Sequence, residues 1–140
     1  MGYLIRGQTV IPGEAQGELL VSGEPLSFWG GYDAATGEII DRRHPLSGQQ
    51  GAGRILALPF SRGSSTTTAV LLEAIRNGTA PAAILTDGVD SFFALASIVA
   101  DELYGRSLPI VALNSEDFGK LTTGTQAVLH DSGEVELKSP

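Results

Sequence analysis

Ile55-Leu56-Ala57-Leu58-Pro59-Phe60-Ser61-Arg62-Gly63-Ser64-Ser65-Thr66-Thr67-Thr68 runs from four consecutive apolar residues, through a proline and a glycine, into a row of hydroxyls. Four apolar residues bounded by turn signals read as a strand buried on both faces. Two runs of the same kind follow, Ala82-Ala83-Ile84-Leu85 and Pro109-Ile110-Val111-Ala112-Leu113. Between the first and second, helical spacing from Thr66 to Asn77 places Val70, Leu71, Ala74 and Ile75 on one face, and Gly78 with Pro81 stops the helix. Between the second and third, Asp90 caps a helix that carries Phe92, Leu95, Ala96, Val99 and Leu103 at helical spacing and ends at Gly105. Strand–helix–strand–helix–strand predicts right-handed crossovers and a parallel βαβαβ unit in an α/β domain.

The remaining strands must be added around that unit. Ile5–Val10, broken by Pro12-Gly13, and Glu18-Leu19-Leu20-Val21, ending at Ser22-Gly23-Glu24-Pro25, read as antiparallel strands. Next come the aromatic and glycine cluster Phe28-Trp29-Gly30-Gly31-Tyr32, a turn at Asp33–Gly37 and the polar stretch Asp41-Arg42-Arg43-His44. This long connection has little periodicity of its own; such loops are often functional. A short helix near Glu116–Leu121 and strands around Gln126–His130 and Glu134–Leu137 complete the outline. Residues 1–140 are expected to form one domain, as the length suits.

Composition excludes several function classes. Sixteen acidic residues against nine basic ones leave a net charge of −7, which opposes a general nucleic-acid or anionic-membrane surface. The chain has no cysteine, so it supplies no thiolate for an iron–sulfur or zinc site, no disulfide and no cysteine nucleophile. No apolar run approaches the roughly 20 residues of a membrane span, and Met1–Arg6 lacks the pattern of a secretion signal. A cytoplasmic protein is the expectation.

Ligands of parallel sheets gather outside the carboxyl ends of the strands. Pro59–Ser65, Thr86-Asp87-Gly88 and Asn114-Ser115 meet that description. Continued to Thr68, the first sets the Arg62 guanidinium, Gly63 and the five hydroxyls of residues 64–68 at the mouth of a helix, whose free N–H groups and dipole favour a carboxylate or phosphate. The plain alternative makes Ser64 or Ser65 a helix N-cap and Gly63 a turn residue, though one cap does not require so many hydroxyls. No Gly-Lys-Ser/Thr follows the glycine, and no Gly-x-Ser-x-Gly elbow is present. His44, beside Arg42 and Arg43, reads either as a ligand for a substrate carboxylate or a partner's acid, or as part of a solvated turn. Trp29 with Phe28 reads as core or as an interface plug, core being favoured for an aromatic pair. The flanking Gly30-Gly31 permits close approach of another backbone. Asp87 reads as a ligand-orienting group or a simple Asp-Gly turn.

Together, Pro25-Leu26-Ser27-Phe28-Trp29-Gly30-Gly31, Gly37–Pro45, Arg62-Gly63-Ser64-Ser65-Thr66 and Gly78-Thr79-Ala80-Pro81-Ala82-Ala83-Ile84 resemble the small, swivelling-domain subunit of the aconitase X type dehydratases over most of the chain. The resemblance implies a swivelling β/β/α domain. It implies a large partner subunit that holds an iron–sulfur cluster with its own cysteines, this chain binding no metal. The cluster iron would act as a Lewis acid on the departing hydroxyl. Ser64 aligns with the serine that serves as base in the wider superfamily, and Arg62, Gly63, Ser65 and Thr66 would orient it and bind the substrate's anionic group. Thr66 stands where the wider motif has an arginine, so the carboxylate contacts of true aconitases are not carried over. Within the family the resemblance favours cis-3-hydroxy-L-proline as substrate, giving Δ1-pyrroline-2-carboxylate. The alternative is a phosphomevalonate dehydratase giving trans-anhydromevalonate 5-phosphate.

Two rivals come from other classes. A phosphocarrier swivelling module needs a histidine at the helix mouth, where this chain has serine and threonine. A non-catalytic scaffold would use the Ser64 loop only as a cap. An exposed aromatic interface would also let the isolated chain form a homo-oligomer.

Overall fold

The computed structural model describes residues 3–62 and 65–138, with only the backbone of Arg62 and Ser65. In chain order, the strands and helices are β1 (Tyr3–Arg6), β2 (Gln8–Ile11), β3 (Ala15–Val21), β4 (Leu26–Ser27), β5 (Ile55–Leu58), β6 (Ser61–Arg62), α1 (Ser65–Asn77), β7 (Ala83–Asp87), α2 (Ser91–Tyr104), β8 (Ile110–Leu113), α3 (Ser115–Phe118), β9 (Gln126–Leu129) and β10 (Glu134–Lys138). The three apolar runs become β5, β7 and β8, parallel neighbours with α1 and α2 as crossovers. Every residue of β5 and β8 is buried, as expected of strands covered on both faces.

These strands lie within an eight-stranded sheet of order β1-β10-β9-β3-β5-β7-β8-β2. β3 joins its two halves: Ala15–Glu18 pair antiparallel with β9, and Leu19–Val21 pair parallel with β5. The expectation of an antiparallel strand over Glu18–Val21 therefore holds at Glu18 and fails for Leu19–Val21. The other N-terminal reading, one strand over Ile5–Val10, also changes. The segment divides at Gly7, with β1 pairing to β10 and β2 to β8, so both edges of the sheet come from one stretch of chain. A Cβ on Gly7 would lie 2.3 Å from Val111 Cγ1, so only glycine lets the chain pass this close to β8.

Alternation along each central strand separates two cores. Leu56, Leu58, Ile84 and Ile110 face α1 and α2, where they meet Leu71, Ala74, Ile75, Phe93, Ala96 and Ala100. Ile55, Ala57, Leu85 and Val111 face the other way, toward Phe118 of α3 and Leu129, Val135 and Leu137 of the antiparallel part. This is the mixed β/β/α arrangement that the sequence resemblance implies.

Helix α1 buries the predicted face, with Leu71, Ala74 and Ile75 inward. Helix α2 does not. It buries Phe93, Ala96, Ser97 and Ala100, and leaves Phe92, Leu95 and Leu103 exposed. Small residues let the helix approach closely, and Ser97 fixes its rotation: Ser97 Oγ donates to Leu108 O at 2.8 Å and accepts from Leu108 N at 2.7 Å. Ser97 thereby satisfies two backbone groups that would otherwise be buried without partners.

The connection between β4 and β5 carries its own buried residues. Phe28 stacks on Tyr32 at 5.1 Å and meets Phe93 edge-on at 5.7 Å. Ile39 and Leu46 are also buried, and the Tyr32 hydroxyl donates to Thr79 O at 2.6 Å. Burial pushes the Tyr32 phenol well above its ordinary value of about 10. A raised native value means that the unfolded chain loses this proton first as pH climbs past about 10, so the stabilisation present below that pH declines above it. Tyr32→Phe is expected to flatten this alkaline decline and to cost about 1–2 kcal/mol at neutral pH through the lost hydrogen bond. Urea titrations of both proteins at about pH 8 and about pH 11 measure it, and equal alkaline slopes would exclude Tyr32 as the responsible group.

Candidate active site

β4 and β6 form a separate two-stranded parallel sheet, with Leu26 opposite Ser61 and Ser27 opposite Arg62. Parallel strands leave their pairing in the same direction. Phe28-Trp29-Gly30-Gly31 therefore leaves β4 in the direction in which β6 runs toward α1. Two stretches more than thirty residues apart in sequence converge at the start of α1. Neither β4 nor β6 is evident from the sequence, because two residues carry no periodicity.

Gly63 and Ser64 lie outside the described residues, between the last residue of β6 and the first of α1. Around them, Thr66 is exposed and Thr67 buried, while Thr68 Oγ1 donates to Phe92 O at 3.4 Å. No acidic residue occupies the first turn of α1. The positive end of its dipole thus meets no neutralising carboxylate from its own first turn, which suits an anion at this place.

Asp90 ties this region to the fold. Its Oδ1 accepts from Phe92 N at 3.0 Å and Phe93 N at 3.1 Å, which caps α2. Its Oδ2 accepts from Ser61 N at 2.6 Å, which holds β6. The capping role is visible in the sequence. The second is not, because its donor lies 29 residues away. The other strand ends are joined as well: Asp87 N donates to Pro59 O at 3.1 Å, and Gly88 N to Leu113 O at 2.9 Å. The Asp87 carboxylate accepts from Ser115 Oγ at 2.8 Å, so it links the ends of β7 and β8.

The structure divides Phe28 from Trp29. Phe28 is buried, whereas Trp29 is 70% exposed, against the expectation of a core pair. Gly30 has φ of +74° and faces open space. A Cβ on Gly31 would lie 2.1 Å from Ser27 O, so the close backbone approach is made within the same loop. The Arg42-Arg43-His44 group also separates. Arg43 is exposed, its N–H bound to Asp41 Oδ1 at 3.0 Å.

His44 is buried, which overturns the solvated turn. Its Nδ1 accepts from Leu46 N at 3.1 Å, which leaves the ring proton on Nε2, 3.2 Å from Glu24 O and 3.5 Å from Ser22 Oγ. The ring satisfies backbone groups of two loops, Leu46 N and Glu24 O.

Gly30→Ala is expected to cost about 1 kcal/mol from its backbone angle alone, and Gly31→Ala about 3 kcal/mol from the steric conflict. Equal losses in urea unfolding would contradict the different geometries of the two sites. Asp90→Ala is expected to cost about 2–3 kcal/mol, above an ordinary N-cap, because Ser61 N–H also loses its acceptor. Amide hydrogen exchange at Ser61 should rise in this variant.

Residues 4–137 match the aconitase X swivel domain. The cis-3-hydroxy-L-proline dehydratase of Pseudomonas aeruginosa is 52% identical over 135 residues, covering 96% of this chain but 23% of that protein. The phosphomevalonate dehydratase small subunit of Thermococcus gammatolerans is 39% identical over 134 residues, covering 95% of this chain and 96% of that subunit. The chain thus spans about a quarter of the first relative and nearly all of the second. The crystal structure of Thermococcus kodakaraensis aconitase X in its holo-form superposes with a TM-score of 0.86 at 35% identity, covering 98% of this chain and 99% of that one. With the family match spanning nearly the whole sequence and the fold shared as well, the chain belongs to the aconitase X swivel domain family.

Proposed function

We propose that this chain is the small, swivelling-domain subunit of an iron–sulfur-dependent hydro-lyase, cis-3-hydroxy-L-proline dehydratase, with Ser64 as the base. The observation that carries the reading is the parallel pairing of β4 with β6, which brings the Phe28–Gly31 loop to the anion-favouring start of α1. The 52% identity to the Pseudomonas aeruginosa dehydratase supports the choice of substrate.

The chain's own residues do not fit a cluster. It has no cysteine, and among the described residues no group of three or more His, Asp or Glu could hold a metal. The cluster is therefore assigned to a large partner subunit, and this chain's part in the reaction is proton transfer and substrate binding. In the elimination the substrate loses the Cα proton and the C3 hydroxyl. The Cα–H electron pair becomes the Cα=C3 bond, the C3–O pair leaves with the hydroxyl, which takes up a proton to become water and so balances the one given up by Cα, and the enamine tautomerises to Δ1-pyrroline-2-carboxylate. Ser64 Oγ receives the Cα proton. A neutral serine is a very weak base, so an alkoxide must be stabilised by the free N–H groups and dipole of α1 and by the Arg62 cation. Arg62, Ser65 and Thr66 hold the substrate's anionic group, and Gly63 gives the backbone room to approach it. Exclusion of water requires a covering chain, because Trp29 and Thr66 are open to solvent.

One observation favours a second substrate, 5-phosphomevalonate: the match to the Thermococcus gammatolerans small subunit runs the length of both chains. A phosphate suits the start of α1 as well as a carboxylate does. The test is water elimination from both compounds by this chain, alone and reconstituted anaerobically with its large subunit. Turnover of cis-3-hydroxy-L-proline in the reconstituted sample alone is the expected result. Turnover of 5-phosphomevalonate instead would transfer the assignment, and a stable complex active on neither would leave a scaffold. Ser64→Ala should lower kcat about 10²–10⁴-fold with the complex intact; unchanged kcat would remove Ser64 from the base role.

A further inference from the structure

Helix α2 is apolar on two sides. Its inner side, Phe93, Ala96, Ser97 and Ala100, packs into the core. Its outer side carries Phe92, Leu95, Ile98 and Leu103, all exposed, with Leu95 at 47%, Ile98 at 51% and Leu103 at 62%. At about 100° per residue these side chains and Val99 fall on one arc roughly 140° wide. Val89, 60% exposed, extends the arc before the first turn, and Ser91 and Glu102 are the polar residues on it. Helices apolar all round are normally buried all round, and contiguous apolar patches on soluble proteins mark contact sites.

The stripe begins beside the candidate active site. Pro59 O accepts from Asp87 N and Ser61 N donates to Asp90 Oδ2, so the exposed Phe60 lies between two tethers to the segment that leads into α2. On the far side of β6, β4 delivers the exposed Trp29. A body seated on the outer face of α2 would reach across Phe60 to the mouth of α1.

We propose that the outer face of α2, with Val89 and Phe60, is the seat of the large partner chain, whose matching surface is apolar with a basic rim. This rests on the two-subunit reading given above. The domain occupies 23% of a single chain in the Pseudomonas aeruginosa relative, yet matches a separate small subunit almost end to end in Thermococcus gammatolerans. In a separate small subunit, such as that of Thermococcus gammatolerans, surface contact must hold the domain to its partner, and this stripe provides apolar area contiguous with the site. The basic rim complements the net charge of −7 and the exposed Asp101 and Glu102 at the far end of the stripe. A second copy would cover the stripe without supplying the opposite wall of the site.

The test is titration of the full chain with its large subunit, read as Kd. Leu95→Glu with Ile98→Glu keeps good helix formers and should raise Kd about 100-fold or more. The uncharged pair Leu95→Gln with Ile98→Gln should raise it about 10-fold or more, which separates lost apolar area from added charge. Leu4→Glu, at an equally exposed apolar residue of β1, should stay within about twofold. Melting temperatures verify that each variant is folded. Unchanged Kd in folded α2 variants, or no binding of the large subunit to the wild type, would overturn the proposal. So would a wild-type homodimer dissolved by the Glu pair while large-subunit binding persists. A complex lost in the α2 variants but active on neither substrate would overturn the assigned reaction and leave the surface standing.

Discussion

The Asp90 carboxylate accepts from three backbone N–H groups that belong to two separate parts of the chain. One oxygen begins α2; the other fixes the position of Ser61, and with it the strand that pairs with β4. A charged acceptor binds such donors about twice as strongly as a neutral one, and this one is shielded from water. Two otherwise weak features depend on it. A two-residue strand pair has little stability of its own, and a helix start leaves unsatisfied donors unless something caps it. Through this one side chain, the crossover helix and β6 keep a common position.

The long connection after β4 reaches the same place by packing. Phe28 bridges Tyr32 and Phe93, so the inner face of α2 also anchors the loop that exposes Trp29. His44 secures the loop's far side with hydrogen bonds to backbone groups around Glu24 and Leu46. These contacts anchor the segment and leave Trp29 exposed. The chain brings together a helix start whose first turn carries no carboxylate and an exposed tryptophan.

Much of the fold was legible because β5, β7 and β8 are uniform apolar runs, and because Asp90 and Gly105 mark the ends of α2 through local chemistry. The rotation of α2 was not. Phe92, Leu95, Val99 and Leu103 form a better apolar stripe than the face that is buried, and the deciding contact is Ser97 with the backbone of Leu108, eleven residues on. The same limit applies to His44 and Trp29. Their neighbours suggested a ligand and a core residue, but the partners that bury one and leave the other exposed come from distant segments.

The amino-acid sequence by itself determined the parallel βαβαβ unit, the cap of α2, the hydroxyl-rich entry to α1 and the family, since each is written in local spacing or a contiguous motif. Tertiary structure alone decided the passage of β1 into β2 at Gly7, the meeting of β4 with β6, the second partner of Asp90 and the face of α2 left bare. Periodicity states which side chains share a face. Which face is buried depends on hydrogen bonds and close packing between residues far apart in the chain.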